Sequence, residues 1–168
     1  NMRKLFLPSL QLDTVFEIDA DRLWNAGVRA FIFDIDNTLA TYAQSVPDTE
    51  IKGWLDGLKA RGFGIYFVSN NSRKRVESFA AAAGVRWISR AAKPIGFQLR
   101  RACRKMGVLP KQAALVGDQL FTDIWGGNAL GMFTVLVTPI SEKEDGFVKF
   151  KRRFERKILG KTEYRDRR

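Results

Sequence analysis

Residues 28–40 read VRAFIFDIDNTLA. A nearly unbroken apolar run, interrupted only by Arg29, gives way to two aspartates, Asp34 and Asp36, one residue apart. Continuous apolar runs of this length mark a strand buried on both faces, as at the centre of a parallel sheet. Two carboxylates this close oppose each other's ionisation unless positive charge is supplied nearby. The stretch therefore predicts a central strand that ends at a site with a cation in it.

The flanking sequence repeats the pattern. PDTEIKGWLDGLKARG (47–62) predicts a helix opened by Pro47, with Ile51, Trp54, Leu55 and Leu58 at helical spacing and Gly62 as its stop. FGIYFVSNN (63–71) is a second buried strand ending in small polar residues. SRKRVESFAAAAG (72–84) is a helix capped by Ser72 and stopped by Gly84. A short strand at VRWIS (85–89), a helix over about 94–106, a buried strand at AALVGD (113–118), a helix over about 120–130 and a last strand at MFTVLVTP (132–139) complete the series. The order implies an α/β, three-layer, Rossmann-like fold with a mainly parallel five-stranded sheet. Ligands of such sheets bind beyond the carboxyl ends of the strands. Asp34 and Asp36, Ser69 and Asn70, and Asp118 all fall there. Residues 29–140 read as the core, 1–28 as a segment packing on it or leading into it, and 141–168 as a basic amphipathic tail or helix.

Composition narrows the chemistry. With 168 residues and 45% hydrophobic content the chain suits one globular domain. It has no histidine, so no Ser-His-Asp triad, Cys-His pair or histidine zinc site is open to it. The single cysteine, Cys103, excludes an intrachain disulfide, fits a reducing cytoplasm and reads as a small buried residue on a helix. A net charge of +11 implies an anionic partner, nucleic acid or acidic lipid. Asn1 ahead of Met2 reads as an added residue, nothing resembles a signal peptide, and no apolar run approaches the roughly 20 residues of a membrane span. The expectation is a cytoplasmic protein, peripheral at the inner face of the membrane.

Oxygen and amine groups delivered to one sheet edge from distant segments suit Mg²⁺ and a phosphate, because Mg²⁺ prefers oxygen ligands and shares its shell with substrate phosphate. Asp34 can then act as a nucleophile that becomes an aspartyl-phosphate. Asp36 can protonate the leaving oxygen and afterwards deprotonate water. Ser69, with Asn70, can donate to the phosphoryl oxygens, and Lys93 can supply fixed positive charge. Asp118 completes the metal shell, and Asp123 is a further ligand or orients a bound water. Taken singly, each has a plain structural reading: Asp36 as a turn residue, Ser69 and Asp118 as caps, Lys93 as a solvated lysine. All four segments arriving by accident in order at one sheet edge is a poor explanation.

DIDNTL (34–39), VSNN (68–71), KP (93–94) and GDQLFTD (117–123) resemble the four successive motifs of the haloacid dehalogenase superfamily of phosphohydrolases, over residues 29–139. The resemblance implies Asp34 as nucleophile, Asp36 as acid and base, Ser69 and Lys93 on the phosphoryl group, and Asp118 on Mg²⁺. It adds the main-chain carbonyl of Asp36 as a metal ligand and Asp123 as a supporting one. Asn37 stands where many members carry glycine. More narrowly, FLPSLQLDTVFEID and GDQLFTDIWGGNALGMFTVLV resemble the YqeG-type subfamily, which is similar to phosphatidylglycerophosphate phosphatases.

Members acting on small metabolites usually carry an inserted cap domain, and here the spacing leaves room for none. Between Asp36 and Ser69 lie a helix and a strand, and between Asn71 and Lys93 a helix and a short strand. An open site suits a phosphate presented on something bulky. In GFVKFKRRFERKILG (146–160), Phe147, Phe150, Phe154 and Ile158 form one helical stripe among basic residues, a pattern able to lie on an anionic membrane. The expected function is a Mg²⁺-dependent phosphatase of a lipid head group such as phosphatidylglycerophosphate. The alternatives are the same chemistry on a nucleic-acid end or phosphoprotein, and a catalytically silent module bound to RNA or ribosomes.

Overall fold

The structure, a computed structural model, describes residues 2–94 and 96–140. The basic stripe expected at 147–158 lies outside the described residues. The apolar run at the centre forms β2 (Ala30–Phe33), every residue of which is buried. It pairs in parallel with β3 (Gly64–Val68) on one side and β5 (Ala113–Gly117) on the other. β4 (Arg86–Ile88) extends the sheet beyond β3, and β6 (Phe133–Val137) beyond β5.

The sheet has six strands rather than five. β1 (Leu10–Leu12) adds to the free edge of β6, Leu10 opposite Val135 and Leu12 opposite Val137, so the order is β1-β6-β5-β2-β3-β4 and every pairing is parallel. Three residues with an exposed Gln11 at the middle carry too little pattern to be recognised from sequence. Residues 2–28 also hold α1 (Ala20–Asn25), whose cap Asp19 accepts from the Arg22 N–H at 3.0 Å.

Alternation along the strands divides the core. Phe31, Phe33 and Phe67 face α2 (Thr49–Ala60) and α3 (Arg73–Ala83), where Leu55, Val76 and Phe79 are fully buried. Ile32, Tyr66 and Leu115 face α4 (Phe97–Lys105) through Leu99, Ala102 and Cys103. Fully burying each such large side chain contributes roughly 1.5–3 kcal/mol. Burial also pushes the Cys103 thiol up to about 11, so it is un-ionised at neutral pH.

Helix termini follow local chemistry, with three adjustments to the sequence reading. The N-cap of α2 is Asp48, which accepts from the Ile51 N–H at 2.8 Å, one residue after Pro47. α4 begins at Phe97, because residues around Pro94 are used to present Lys93. The predicted helix near 120–130 divides into a π-turn (Leu120–Ile124) and a short α5 (Trp125–Ala129). α3 starts and stops as expected, at Ser72 and at Gly84 with φ +65°. β2 and β3 are joined through α2 alone and β3 and β4 through α3 alone, without an inserted cap domain.

Candidate active site

Each expected site residue follows the carboxyl end of a strand. The Asp34 N–H still donates to the Val116 carbonyl at 3.0 Å, so the sheet fixes its backbone one residue beyond β2. The chain then turns sharply. Asn37 takes φ +61°, a left-handed conformation open mainly to glycine and, through local hydrogen bonding, to asparagine and aspartate. That explains a position shared between glycine and asparagine. The turn is closed by the Asn37 N–H on the Ala40 carbonyl at 2.7 Å, and it brings the Thr38 hydroxyl to an Asp118 carboxylate oxygen at 3.5 Å.

Ser69 lies just past β3 and is buried, its hydroxyl accepting from the Asn71 N–H at 3.1 Å. Asn70, which also lines the cleft, uses its side chain to hold the loop that carries Lys93. Its side-chain oxygen accepts from the Lys93 N–H at 2.8 Å and its amide donates to the Lys93 carbonyl at 3.3 Å, clamping that residue's backbone. The loop before Lys93 holds two further non-glycine residues in the left-handed region, Arg90 (φ +47°) and Ala92 (φ +51°). Such conformations cost of order 1–3 kcal/mol each and persist only where the surroundings enforce them. Here the Arg90 and Ala91 N–H groups are bound to the carbonyls of Asn71 and Ser69, each at 3.0 Å.

Lys93 is thereby driven into the cleft, 6% exposed, with its ammonium 3.2 Å from Asp34 and 2.5 Å from Asp123. Burial acts to discharge it, but Asp123 and Asp34 outweigh burial and its pKa is raised, so it is a permanent cation. Asp34 is pushed up to about 7, chiefly by burial, which Lys93 opposes and Asp123 and Asp36 reinforce. Asp123 is fully buried, and its second oxygen accepts from the Gln119 N–H at 3.3 Å. A Cβ at Gly117 would stand 2.2 Å from that oxygen. Gly117→Ala is therefore expected to displace Asp123, lowering stability by about 1–3 kcal/mol in chemical denaturation and reducing turnover with it.

Asp36 is held by groups the sequence reading did not include. Arg75 on α3 donates from Nε (3.1 Å) and Nη2 (3.0 Å) to one carboxylate oxygen, and Asn71 donates to the other at 2.8 Å. Arg75 Nη2 also reaches the Thr41 carbonyl at 3.1 Å, tying the loop after the turn to α3. Asn71 lay within VSNN, but Arg75 carried no signal beyond its place one turn into a capped helix.

Asp34, Asp118 and Asp123 offer three buried carboxylate oxygens all within 4.8 Å of one another, while the Asp36 carboxylate stands outside this group. The site sets four aspartates against two cations, Lys93 and Arg75, so full ionisation of its carboxylates would leave two negative charges uncompensated. An all-oxygen donor set with that residual charge fits a hard divalent cation. The cleft above it, about 230 Å³, is lined by Asp34, Asp36, Tyr42, Ser69 and Lys93 among others.

A family model for haloacid dehalogenase-like hydrolases matches residues 42–131. "Probable phosphatase YqeG" of Bacillus subtilis is 34% identical over 94% of this chain and 92% of its own length. Phosphatidylglycerophosphate phosphatase 1 of Arabidopsis thaliana is 29% identical over 87% of this chain, which spans only 44% of the plant protein. Among solved structures, a HAD phosphatase from Thermococcus onnurineus superposes with a TM-score of 0.57 over 71% of this chain and 90% of its own, at 15% identity, a likeness of fold. With the family model over more than half of the chain and a relative matched along nearly all of it, the chain belongs to the haloacid dehalogenase-like hydrolase family, in which it is a phosphatase.

Proposed function

We propose that the protein hydrolyses a phosphomonoester on a lipid head group, phosphatidylglycerophosphate being the model substrate, through a phosphorylated Asp34. The observation that carries the chemistry is the buried Asp34 carboxylate set against the fixed ammonium of Lys93 at the floor of a small polar cleft. An Asp34 oxygen attacks phosphorus as the bond to the alcohol oxygen breaks, and Asp36 delivers a proton to that leaving oxygen. Lys93 and Ser69 hold the phosphoryl oxygens while their charge redistributes, and Asn70 keeps Lys93 in place. Water then attacks the phosphorus, Asp36 takes its proton back, and the bond to Asp34 breaks to release phosphate. Asp34, Asp118 and the Asp36 carbonyl would hold Mg²⁺, with Asp123 in support. Bound there, the ion supplies charge neutralisation for the phosphoryl oxygens.

Three facts support the lipid. The cleft, at about 230 Å³, is smaller than the roughly 300–1,000 Å³ that encloses a whole small molecule, so it fits the phosphate end of something larger. Among the described residues no cap closes over it. The plant relative bears the name of a phosphatidylglycerophosphate phosphatase. Among the described residues no helix is long and apolar enough to cross a membrane. In this reading residues 29–140 are the catalytic unit, 1–28 the segment whose β1 pairs with β6, and 141–168 a basic amphipathic tail or helix.

The test is a panel assayed side by side with Mg²⁺: phosphatidylglycerophosphate, a 5′-phosphorylated oligonucleotide, a phosphopeptide and sugar phosphates. The lipid should show the highest kcat/KM; a higher value for the oligonucleotide or phosphopeptide would move the same chemistry to that partner. Arg75→Ala should lower turnover of an alkyl phosphate by about 10²-fold, because Asp36 loses the guanidinium that aims it. With 4-nitrophenyl phosphate, whose leaving group needs no proton, the first turnover should stay fast and be followed by slow hydrolysis. Equal slowing of the first turnover for both substrates would show that Arg75 does not act through Asp36.

A further inference from the structure

We propose that the exposed face of α4 is the surface by which this phosphatase docks on an anionic bilayer. The forty residues 78–117 contain eight lysines and arginines and no aspartate or glutamate. They span the end of α3, the edge strand β4, α4 and the central β5, and four of the eight cations, Arg100, Arg101, Arg104 and Lys105, stand exposed on α4. The acids of the described residues lie elsewhere, on α1, α2, the turns before them, the first half of α3 (Glu77) and the active site.

On α4 the imbalance becomes a pattern. Phe97, Arg100, Arg101 and Arg104 stand at i, i+3, i+4 and i+7, all exposed, while Leu99, Ala102 and Cys103 are buried on the opposite side. Lys105 borders the same stripe and is also exposed. Among the described residues none of these four cations forms an ion pair with a carboxylate. Arg100 with Arg104, and Arg101 with Lys105, are like-charge pairs four residues apart, which oppose the helix. The N-cap, Gly96, supplies no side-chain hydrogen bond, and no acid sits in the first turn to offset the repulsion. An anionic surface lying against the stripe removes that penalty.

Phe97 distinguishes the kind of surface. It is 63% exposed at the head of the cationic stripe, where an aromatic ring enters the interfacial layer while the arginines above it meet lipid phosphates. Single-stranded nucleic acid is held by a series of aromatic platforms, and among the described residues the exposed face of α4 carries one ring, Phe97. The helix begins four residues after Lys93, so docking along it brings the cleft to the layer where head-group phosphates lie. The choice of a bilayer over another polyanion rests on the lipid reading of the cleft.

The experiment uses the full chain, with the tail present in every arm. Flotation with vesicles of phosphatidylcholine and phosphatidylglycerol in equal parts is compared with pure phosphatidylcholine, for the parent and for Arg100→Gln, Arg101→Gln and Arg104→Gln combined. The parent should bind the anionic vesicles and not the neutral ones. The triple variant should bind them roughly 10²-fold more weakly, at about a factor of five per cation. Its kcat/KM should fall on vesicle-borne phosphatidylglycerophosphate and stay unchanged on 4-nitrophenyl phosphate, and thermal unfolding should show it at least as stable as the parent. Phe97→Ser should weaken vesicle binding at high and low salt alike, since the ring contributes by burial rather than charge. Vesicle binding unchanged in the triple variant overturns the proposal, as does tighter retention of the parent on single-stranded RNA at matched salt. Loss of vesicle binding in the triple variant, with no turnover of phosphatidylglycerophosphate by the parent, would leave the docking face standing and remove the lipid substrate.

Discussion

Asp34→Asn should abolish turnover and at the same time make the metal-free protein more stable. Removing a covalent nucleophile lowers kcat by as much as about 10⁶-fold in enzymes where one residue carries the attack. The stability gain follows from burial. In the folded protein Asp34 holds its proton up to about pH 7, against 3.8 for a free side chain, so between those values the folded state binds more protons than the unfolded one. Stability of the parent in chelator should therefore fall as pH rises from about 4 to about 7 and level off above it. Asparagine, which mimics the protonated acid, should flatten that slope and be more stable at pH 8 by at most about 4 kcal/mol. Denaturant melts at several pH values, with and without Mg²⁺, check both halves. A variant that still turns over, or that is less stable than the parent in chelator at pH 8, would contradict the role of a buried nucleophile.

Lys93→Met should have the opposite effect on stability. The ammonium is the partner shared by Asp34 and Asp123, 3.2 and 2.5 Å away. Without it two carboxylates remain buried and facing each other, and breaking a buried pair in this way costs about 3–5 kcal/mol. For a domain of this size that lowers Tm by roughly 6–20 °C. The deficit should be greatest at pH 8 and shrink toward pH 5 as the carboxylates take up protons. Loss of the fixed charge on the phosphoryl group should also lower kcat by about 10²–10³-fold. A change below about 1 kcal/mol would be the behaviour of an exposed lysine and would place the ammonium outside the site.

Part of the site was readable because its residues sit where a local pattern breaks. Asp34, Ser69 and Asp118 follow apolar runs that become β2, β3 and β5, and the parallel order then brings those run ends to one edge. Lys93 and Asp123 were readable only through their motifs, since neither ends a strand. Arg75 was not readable at all. It meets Asp36 only because α3 packs so that its first turn lies over the end of β2, and a basic residue near a helix start looks the same whether it faces solvent or a carboxylate. The position of Asn70 after a strand marks it as a site residue, but the hold of its side-chain amide on the Lys93 backbone 23 residues later is visible only in the folded chain.

Short-range order in this chain is thus written in periodicity and in what interrupts it. Strand ends, caps and the left-handed turn at Asn37 depend on a few adjacent residues, and their energetics are local. The sixth strand, the Arg75 clamp on Asp36 and the shared burial of Lys93 with Asp34 and Asp123 belong to the folded chain. Each joins residues tens of positions apart, so its energy exists only once packing has excluded water and set the distance between charges.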